Sequence, residues 1–162
     1  MPLKKIKKQA GLDAIDKKIL NVLQEDNQLT NLALAERVGI SAPPCLKRVR
    51  RLREDGIITK DVSLIDPEKA GQRFLVFLHI SLTSQRADLL ESFEKKMQRH
   101  PEIMQCYHIS GDFDYLVVVG MPDMRHYNEC LRRIFASDPN LKVYRSSFVL
   151  SRIKYSTKIA IA

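Results

Sequence analysis

The sequence predicts an α+β protein in two unlike parts, and three observations carry that prediction. Up to Leu64 the apolar residues recur mainly at helical spacing, with Gly39 and Gly56 as stops. A polar segment with proline and glycine follows, Asp66 to Gly71. Beyond it, runs rich in valine, isoleucine and phenylalanine alternate with helical runs in the order β-α-β-β-α-β. The parts are expected to be a basic tail at residues 1–11, a helical unit at 12–64, a linker at 65–73 and a sheet unit at 74–162.

Composition narrows the class. Hydrophobic residues make up 44% of the 162 and charged residues 28%, the balance of a folded globular chain. The longest run without a charged residue, Phe74 to Gln85, is too short to span a bilayer, so no membrane role is expected. The early lysines (Lys4, Lys5, Lys7, Lys8) have no apolar stretch behind them and do not read as a secretory leader. Cys45, Cys106 and Cys130 are odd in number and form no CxxC pair, which fits a reducing cytoplasm and neither a disulfide scaffold nor a zinc site. All three are expected in the core. The net charge is +8. Its excess is denser before Leu64, where 13 Lys and Arg face 8 Asp and Glu, than after it, where 14 face 11. Such density attracts polyanions.

In the helical unit, Asp13 is the expected N-cap of a first helix, with Asp16 a second carboxylate in its first turn. Ile15, Ile19, Val22 and Leu23 form its apolar face. A second helix runs from about Leu32 to Val38, capped by Thr30 or Asn31 and stopped by Gly39, with Leu32, Ala35 and Val38 inward. A third begins at Ser41, with Pro43 and Pro44 in its first turn, where missing amide protons cost nothing. Cys45, Leu46, Val49 and Leu52 gather on one face, and Pro43, Lys47, Arg50, Arg51 and Glu54 on the other. Two helices joined by Gly39-Ile40-Ser41, the second basic outward, is a helix-turn-helix pattern, whose second helix enters the DNA major groove. Ile57-Ile58-Thr59 and Val62-Ser63-Leu64 flank Lys60-Asp61 as a small hairpin, or wing. Lys47, with Arg48 and Arg51, is placed to reach base edges, and the cations further along to meet phosphates.

In the sheet unit, strands are expected at Phe74–Leu82, Ile103–Ile109, Tyr115–Met121 and Val143–Leu150, and helices at Ala87–Arg99 and Met124–Ala136. A weakly alternating stretch, Ile153–Ile161, reads as an added edge strand. This is the ferredoxin-like order, an antiparallel sheet with two helices on one face. Apolar residues on both sides of the first strand predict that the uncovered face is buried against a second copy.

Both halves resemble one family, the Lrp/AsnC transcription regulators. The matching stretches are Leu12-Asp13-Ala14-Ile15-Asp16, Ala35 to Ser41, Pro44 to Leu52, and Ser110-Gly111-Asp112-Phe113-Asp114-Tyr115-Leu116. The resemblance implies a sequence-specific regulator with an N-terminal winged helix-turn-helix and a C-terminal effector and assembly domain. It implies dimers that assemble further, to octamers, and an amino-acid effector held between dimers near the Gly111–Tyr115 turn. The DNA-binding set is then Asn31, Ser41, Pro43, Lys47, Arg48, Arg50 and Arg51. The effector-binding set is His108, Gly111, Asp112, Asp114, Met124, Ser147, Phe148 and Val149. Asp112 and Asp114 suit an α-ammonium, and the glycine turn's amides suit a carboxylate. His108 and Ser147 depart from the more apolar or larger residues of leucine-binding members, which points to a more polar or cationic amino acid.

The expected partners are therefore double-stranded DNA, a small amino acid and further copies of the chain, with no cofactor or metal. The expected place is the cytoplasm, on the nucleoid. A low-specificity DNA-organising protein is the alternative, since a basic tail and helix serve that equally well. Enzyme chemistry is disfavoured. No phosphate loop, nucleophile elbow or metal-ligand spacing occurs, and His79, His100, His108 and His126 are scattered.

Overall fold

A computed structural model describes residues 11–161. The expected basic tail therefore lies, apart from Gly11, outside the described residues. The chain divides into two compact units, one running to Leu64 and resuming at Lys154, the other spanning Ile65–Ile153.

The first unit holds α1 (Ala14–Leu23), α2 (Asn31–Val38) and α3 (Ala42–Glu54). Asp13 caps α1 in a full capping box: its side chain accepts from the Asp16 amide, and the Asp16 carboxylate accepts from the Asp13 amide. Thr30 caps α2 through the Ala33 amide. Ser41 occupies the cap position of α3 without a side-chain bond, and the prolines take its first turn. Ile19, Leu20, Leu34, Ala35, Val38, Cys45 and Leu52 form the core. Two residues expected inside it are not there: Leu32 is 61% exposed and Leu46 39%. Both sit a step off the inward stripe of their own helices: on α2 the buried residues are Leu34, Ala35 and Val38, and on α3 Cys45 and Leu52.

The break between α2 and α3 depends on Gly39, whose φ of 79° is left-handed. Its amide donates to the Ala35 and Glu36 carbonyls, and the Ile40 amide also reaches Ala35, closing the helix end. No atom crowds a Cβ built there, so a substitution meets only the backbone strain. Gly39→Ala is expected to cost about 1–2 kcal/mol, read as a lower urea midpoint with an unchanged slope.

The wing is present as chain but not as a hairpin. Among the described residues, 57–64 contain no strand. Two amides, of Ile57 and Ile58, fold back onto the Leu52 carbonyl, and Arg53 pairs with Asp61. Those two amides are thereby taken from any ladder with the residues that follow.

The expected edge strand at 153–161 is also corrected. The segment forms no strand; from Lys154 it belongs to the helical unit, lying along the end of α1. The Gln24 side-chain amide donates to the Ile159 carbonyl and accepts from the Ile159 amide, Lys158 pairs with Glu25, and Ile161 packs against the helical core. A side-chain amide that mimics a strand edge satisfies the segment's backbone where no sheet is at hand.

The second unit holds β1 (Phe74–Leu82), α4 (Ala87–Gln98), β2 (Ile103–His108), β3 (Tyr115–Met121), α5 (Met124–Phe135) and β4 (Leu141–Phe148). The sheet is antiparallel in the order β2-β3-β1-β4, so the two most buried strands, β1 and β3, are central. Val76, Leu78, Ile80 and Leu82 of β1 and Tyr115, Val117, Val119 and Met121 of β3 point into the core with Phe93 and Met97 of α4 and Tyr127, Leu131 and Ile134 of α5. The opposite face carries Leu75, Phe77 and His79 of β1 with Leu116 and Val118 of β3. Cys45 and Cys130 are buried as expected, but Cys106 is exposed because β2 is an edge strand. Local desolvation, helped by the Glu94 charge, still pushes its thiol up to about 11.

Candidate functional site

The outward face of α3 is assembled around a side chain on a different helix. Asp16, only 1% exposed, is a buried carboxylate on α1. Its Oδ1 accepts from Arg48 Nη1 at 2.9 Å and its Oδ2 from Arg51 Nη2 at 2.5 Å. Arg48 Nη1 also donates to Asp13 Oδ2 at 2.5 Å. Two guanidinium groups one turn apart on α3 are thus fastened to the N-terminus of α1, where negative charge also suits the helix dipole. The Asp16 amide and then the Arg48 guanidinium hold the Asp13 carboxyl below its ordinary 3.8, and the two aspartates hold Arg48 higher than usual. A depressed carboxyl contributes stability that is present above pH 3.8 and lost as pH falls through the lowered value. The junction is therefore expected to stay intact from neutrality to about pH 5 and to loosen below about pH 4, read as a falling helical melting temperature in circular dichroism.

With Arg48 and Arg51 so engaged, Lys47 and Arg50 are left on the exposed side with Pro43 and Glu54. The face reads i, i+3, i+7 and is cationic through its middle. Asn31, in the first turn of α2, donates its side-chain amide to the Ala42 carbonyl at 2.8 Å, which ties the start of α2 to the start of α3. Ser41 lies at the same junction. The sequence reading missed Asp16 as the hub of this face. Its position between Ile15, Ile19 and Leu20 on the inward side was the available signal, since a charge there needs a partner.

The expected effector residues fall into two groups within one chain. His108, Gly111, Asp112 and Asp114 lie at one end of the sheet. His108 stacks on Tyr115 with centroids 4.8 Å apart, and Gly111 turns the chain at φ 130°. The Asp114 carboxylate holds β1: its Oδ2 accepts from the Leu82 amide at 2.7 Å and its Oδ1 from Gln85 Nε2 at 2.5 Å. Asp112 is exposed. Met124, Ser147, Phe148 and Val149 lie at the other end. Tyr115 is level with Ile80 and Tyr144, whereas Phe148 is level with Val76 and Val119. Four residues of strand separate those levels, roughly 13 Å. Phe148 packs edge-on against Phe74 and Tyr127, and the Val149 amide donates to the Leu75 carbonyl. Ser147 sits on the uncovered face opposite Phe77. Among the described residues, no group of three or more His, Cys, Asp or Glu is arranged to hold a metal.

A helix-turn-helix with a cationic second helix, joined to an α+β sheet domain, defines a DNA-binding regulator with a separate ligand domain. The comparisons make this specific. Residues 12–59 match a family of winged helix-turn-helix DNA-binding domains, and residues 75–159 match the Lrp/AsnC ligand-binding domain. The chain is 39% identical over 157 residues to the leucine-responsive regulatory proteins of Klebsiella pneumoniae and Escherichia coli, covering 96% of each chain. It is similar in structure to a Neisseria meningitidis transcriptional regulator solved with L-methionine (TM-score 0.87, 34% identity, 93% of this chain and 97% of that one). An AsnC family regulator from Agrobacterium tumefaciens gives TM-score 0.87 at 36% identity, covering 91% and 96%. The chain belongs to the Lrp/AsnC family of transcriptional regulators.

Proposed function

We propose that this regulator reads a two-fold DNA site as a dimer, and that an amino acid held by its sheet domain changes its assembly or its grip on DNA. The observation that carries the reading is the Asp16 clasp: Arg48 and Arg51 fix α3 on α1, and the clasp leaves Lys47 and Arg50 facing outward. A rigid helix with its cations outward is what groove recognition needs. In this division Lys47 and Arg50 meet the duplex, Pro43 and Ser41 set the entry of α3, and Arg48 and Arg51 chiefly position it. Asn31 holds the turn through Ala42.

Dimerisation uses the uncovered sheet face. Phe77 and His79 lie half-buried there beside Val118, with Arg145 seated 5.7 Å over the Phe113 ring at its margin. A second copy on that face would bury these apolar groups and bring two recognition helices into one assembly, as a two-fold DNA site requires. The effector reading follows from the split of its candidate residues. The Gly111–Asp114 turn of one copy and the Met124, Phe148 and Val149 end of another together make an amino-acid pocket, so the effector joins copies, in a dimer or a larger ring such as an octamer. L-methionine in the Neisseria relative supports an amino acid as the ligand class. The reading needs no cofactor and no catalysis, and places the protein on cytoplasmic DNA. Among the described residues no helix is long and apolar enough to cross a membrane.

Screening the twenty amino acids for a shift in melting temperature, in sedimentation and in operator binding tests the proposal. At least one is expected to move all three, and to lose its effect in Asp112→Ala. If none moves any, the effector half fails. Competition between a promoter fragment and bulk DNA at fixed salt tests the other half, since a regulator prefers its site by roughly 10³-fold or more.

A further inference from the structure

Leu46 is an apolar side chain on the solvent side of its helix. The packing of α3 is supplied by Cys45 and Leu52, both fully buried, with Val49 partly buried beside them, whereas Leu46 keeps 39% of its surface in water. It lies three positions after Pro43 and four before Arg50, so it shares a flank of the outward face with both. Pro43, Pro44, Leu46, Lys47 and Arg50 are among the residues lining one open hollow on that side. A single exposed leucine is ordinary on a protein surface and contributes little to folding. This one stands in the second turn of the helix that a regulator of this class lays in the major groove, beside the two outward cations Lys47 and Arg50.

The chemistry of the helix start narrows what Leu46 can touch. Pro43 and Pro44 have no amide proton, so the first turn lacks two of the backbone donors that a helix N-terminus commonly offers to an anion. Leu46 itself has neither donor nor acceptor. What it adds to the face is apolar contact alone. In the pattern that base pairs show in the major groove, the apolar group is the C5 methyl of thymine; the others named in that code are hydrogen-bond donors and acceptors. Lys47 and Arg50 carry donors only, and suit phosphate oxygens or the acceptors of guanine. The cations draw the helix to the duplex on any sequence, and the leucine adds a preference that charge cannot supply.

We propose that Leu46 recognises the C5 methyl of a thymine, one in each half-site, and so determines part of the operator sequence. This role rests on the reading of α3 as the recognition helix, and it falls to a residue outside the DNA-binding set that the family resemblance implies. The test takes a duplex selected by the full chain from a random pool and replaces each thymine in turn by deoxyuridine, which lacks only that methyl. At one position of each half-site the exchange is expected to weaken wild-type binding about 4-fold, and about 16-fold when both half-sites carry it, as the loss of one buried methyl contact predicts. Leu46→Ala shortens the side chain, and Leu46→Gln keeps its length but makes its end polar. Both are expected to bind the thymine and uracil duplexes equally. Leu46→Met, apolar and of similar reach, is expected to keep the difference. Circular dichroism checks that the variants keep their helices, and the alanine and glutamine exchanges differ enough that misfolding of one leaves the other to decide. The proposal is overturned if no uracil exchange weakens the wild type, or if the alanine and glutamine variants retain the loss at the same position. A chain that selects no sequence at all removes the reading of α3 together with this role. A chain that selects a site indifferent to thymine methyls removes this role alone.

Discussion

Asp16→Asn is expected to unfold the DNA-binding unit at a markedly lower temperature than the parent chain. The substitution keeps the shape of the side chain but removes the charge that Arg48 and Arg51 share in a position only 1% exposed. Removing one partner of a buried ionic contact leaves the others uncompensated. The guanidinium groups here keep 29% and 47% of their surface in water, so the loss is put at about 2–4 kcal/mol rather than the full cost of a dry pair. For a unit of this size that is on the order of 10 °C or more in melting temperature. The capping box weakens in the same step, because Asp16 also accepts the Asp13 amide. The sheet unit has its own core and should keep its transition. Differential scanning calorimetry would separate the two, and an unchanged first transition would remove Asp16 from its place as the hub. A second signature belongs to the charges released. Below the new melting point, Arg51 has lost its charged partner and Arg48 keeps only Asp13, so non-specific DNA affinity should hold or rise while preference for the operator falls.

The double variant Lys47→Ala, Arg50→Ala is expected to show the opposite pattern: full stability and poor DNA binding. Both side chains are exposed on α3 and make no ion pair among the described residues, so folding stability should stay within about 0.5 kcal/mol. If both meet phosphates, the slope of log affinity against log salt should become shallower by about 1 for each, with affinity falling on all sequences alike. If either reads a base, discrimination at one position of each half-site should relax by about 1–3 kcal/mol. Fluorescence anisotropy on operator and scrambled duplexes across a salt series distinguishes these. Wild-type affinity with a wild-type slope would mean that α3 is not the reading helix.

These two variants also show how far the sequence could be read. The helix-turn-helix was legible because Gly39, Ser41 and the paired prolines are local signals whose physics does not depend on distant chain. The sheet was legible because Val76 to Leu82 and Tyr115 to Met121 carry the strand period in plain view. What was not legible depends on distance. Arg48 and Arg51 look like free cations in a linear reading, and only the packing of α1 against α3 turns them toward Asp16. Leu32 and Leu46 fit the helical spacing but lie one step outside the inward arc, a choice made by neighbouring helices. Ile153 to Ile161 has a weak alternation that fits a strand, yet Gln24 and Glu25, more than a hundred residues earlier, determine where it lies. The candidate effector residues share a sheet but sit at opposite ends of it, because an antiparallel ladder places residues by register and not by proximity in the chain.

The segment along α1 has a bearing on how the protein is made. The helices that read DNA leave the ribosome first, but the contacts that finish their unit, Gln24 with Ile159 and the apolar side of Ile161, are supplied only after the whole sheet has been translated. At 5–20 residues per second, the ribosome needs roughly 5–25 seconds to add the intervening stretch. For that interval the nascent chain holds a nearly complete reading head whose last seam is open. A regulator built this way closes the core of its helical unit at about the moment its ligand domain is whole.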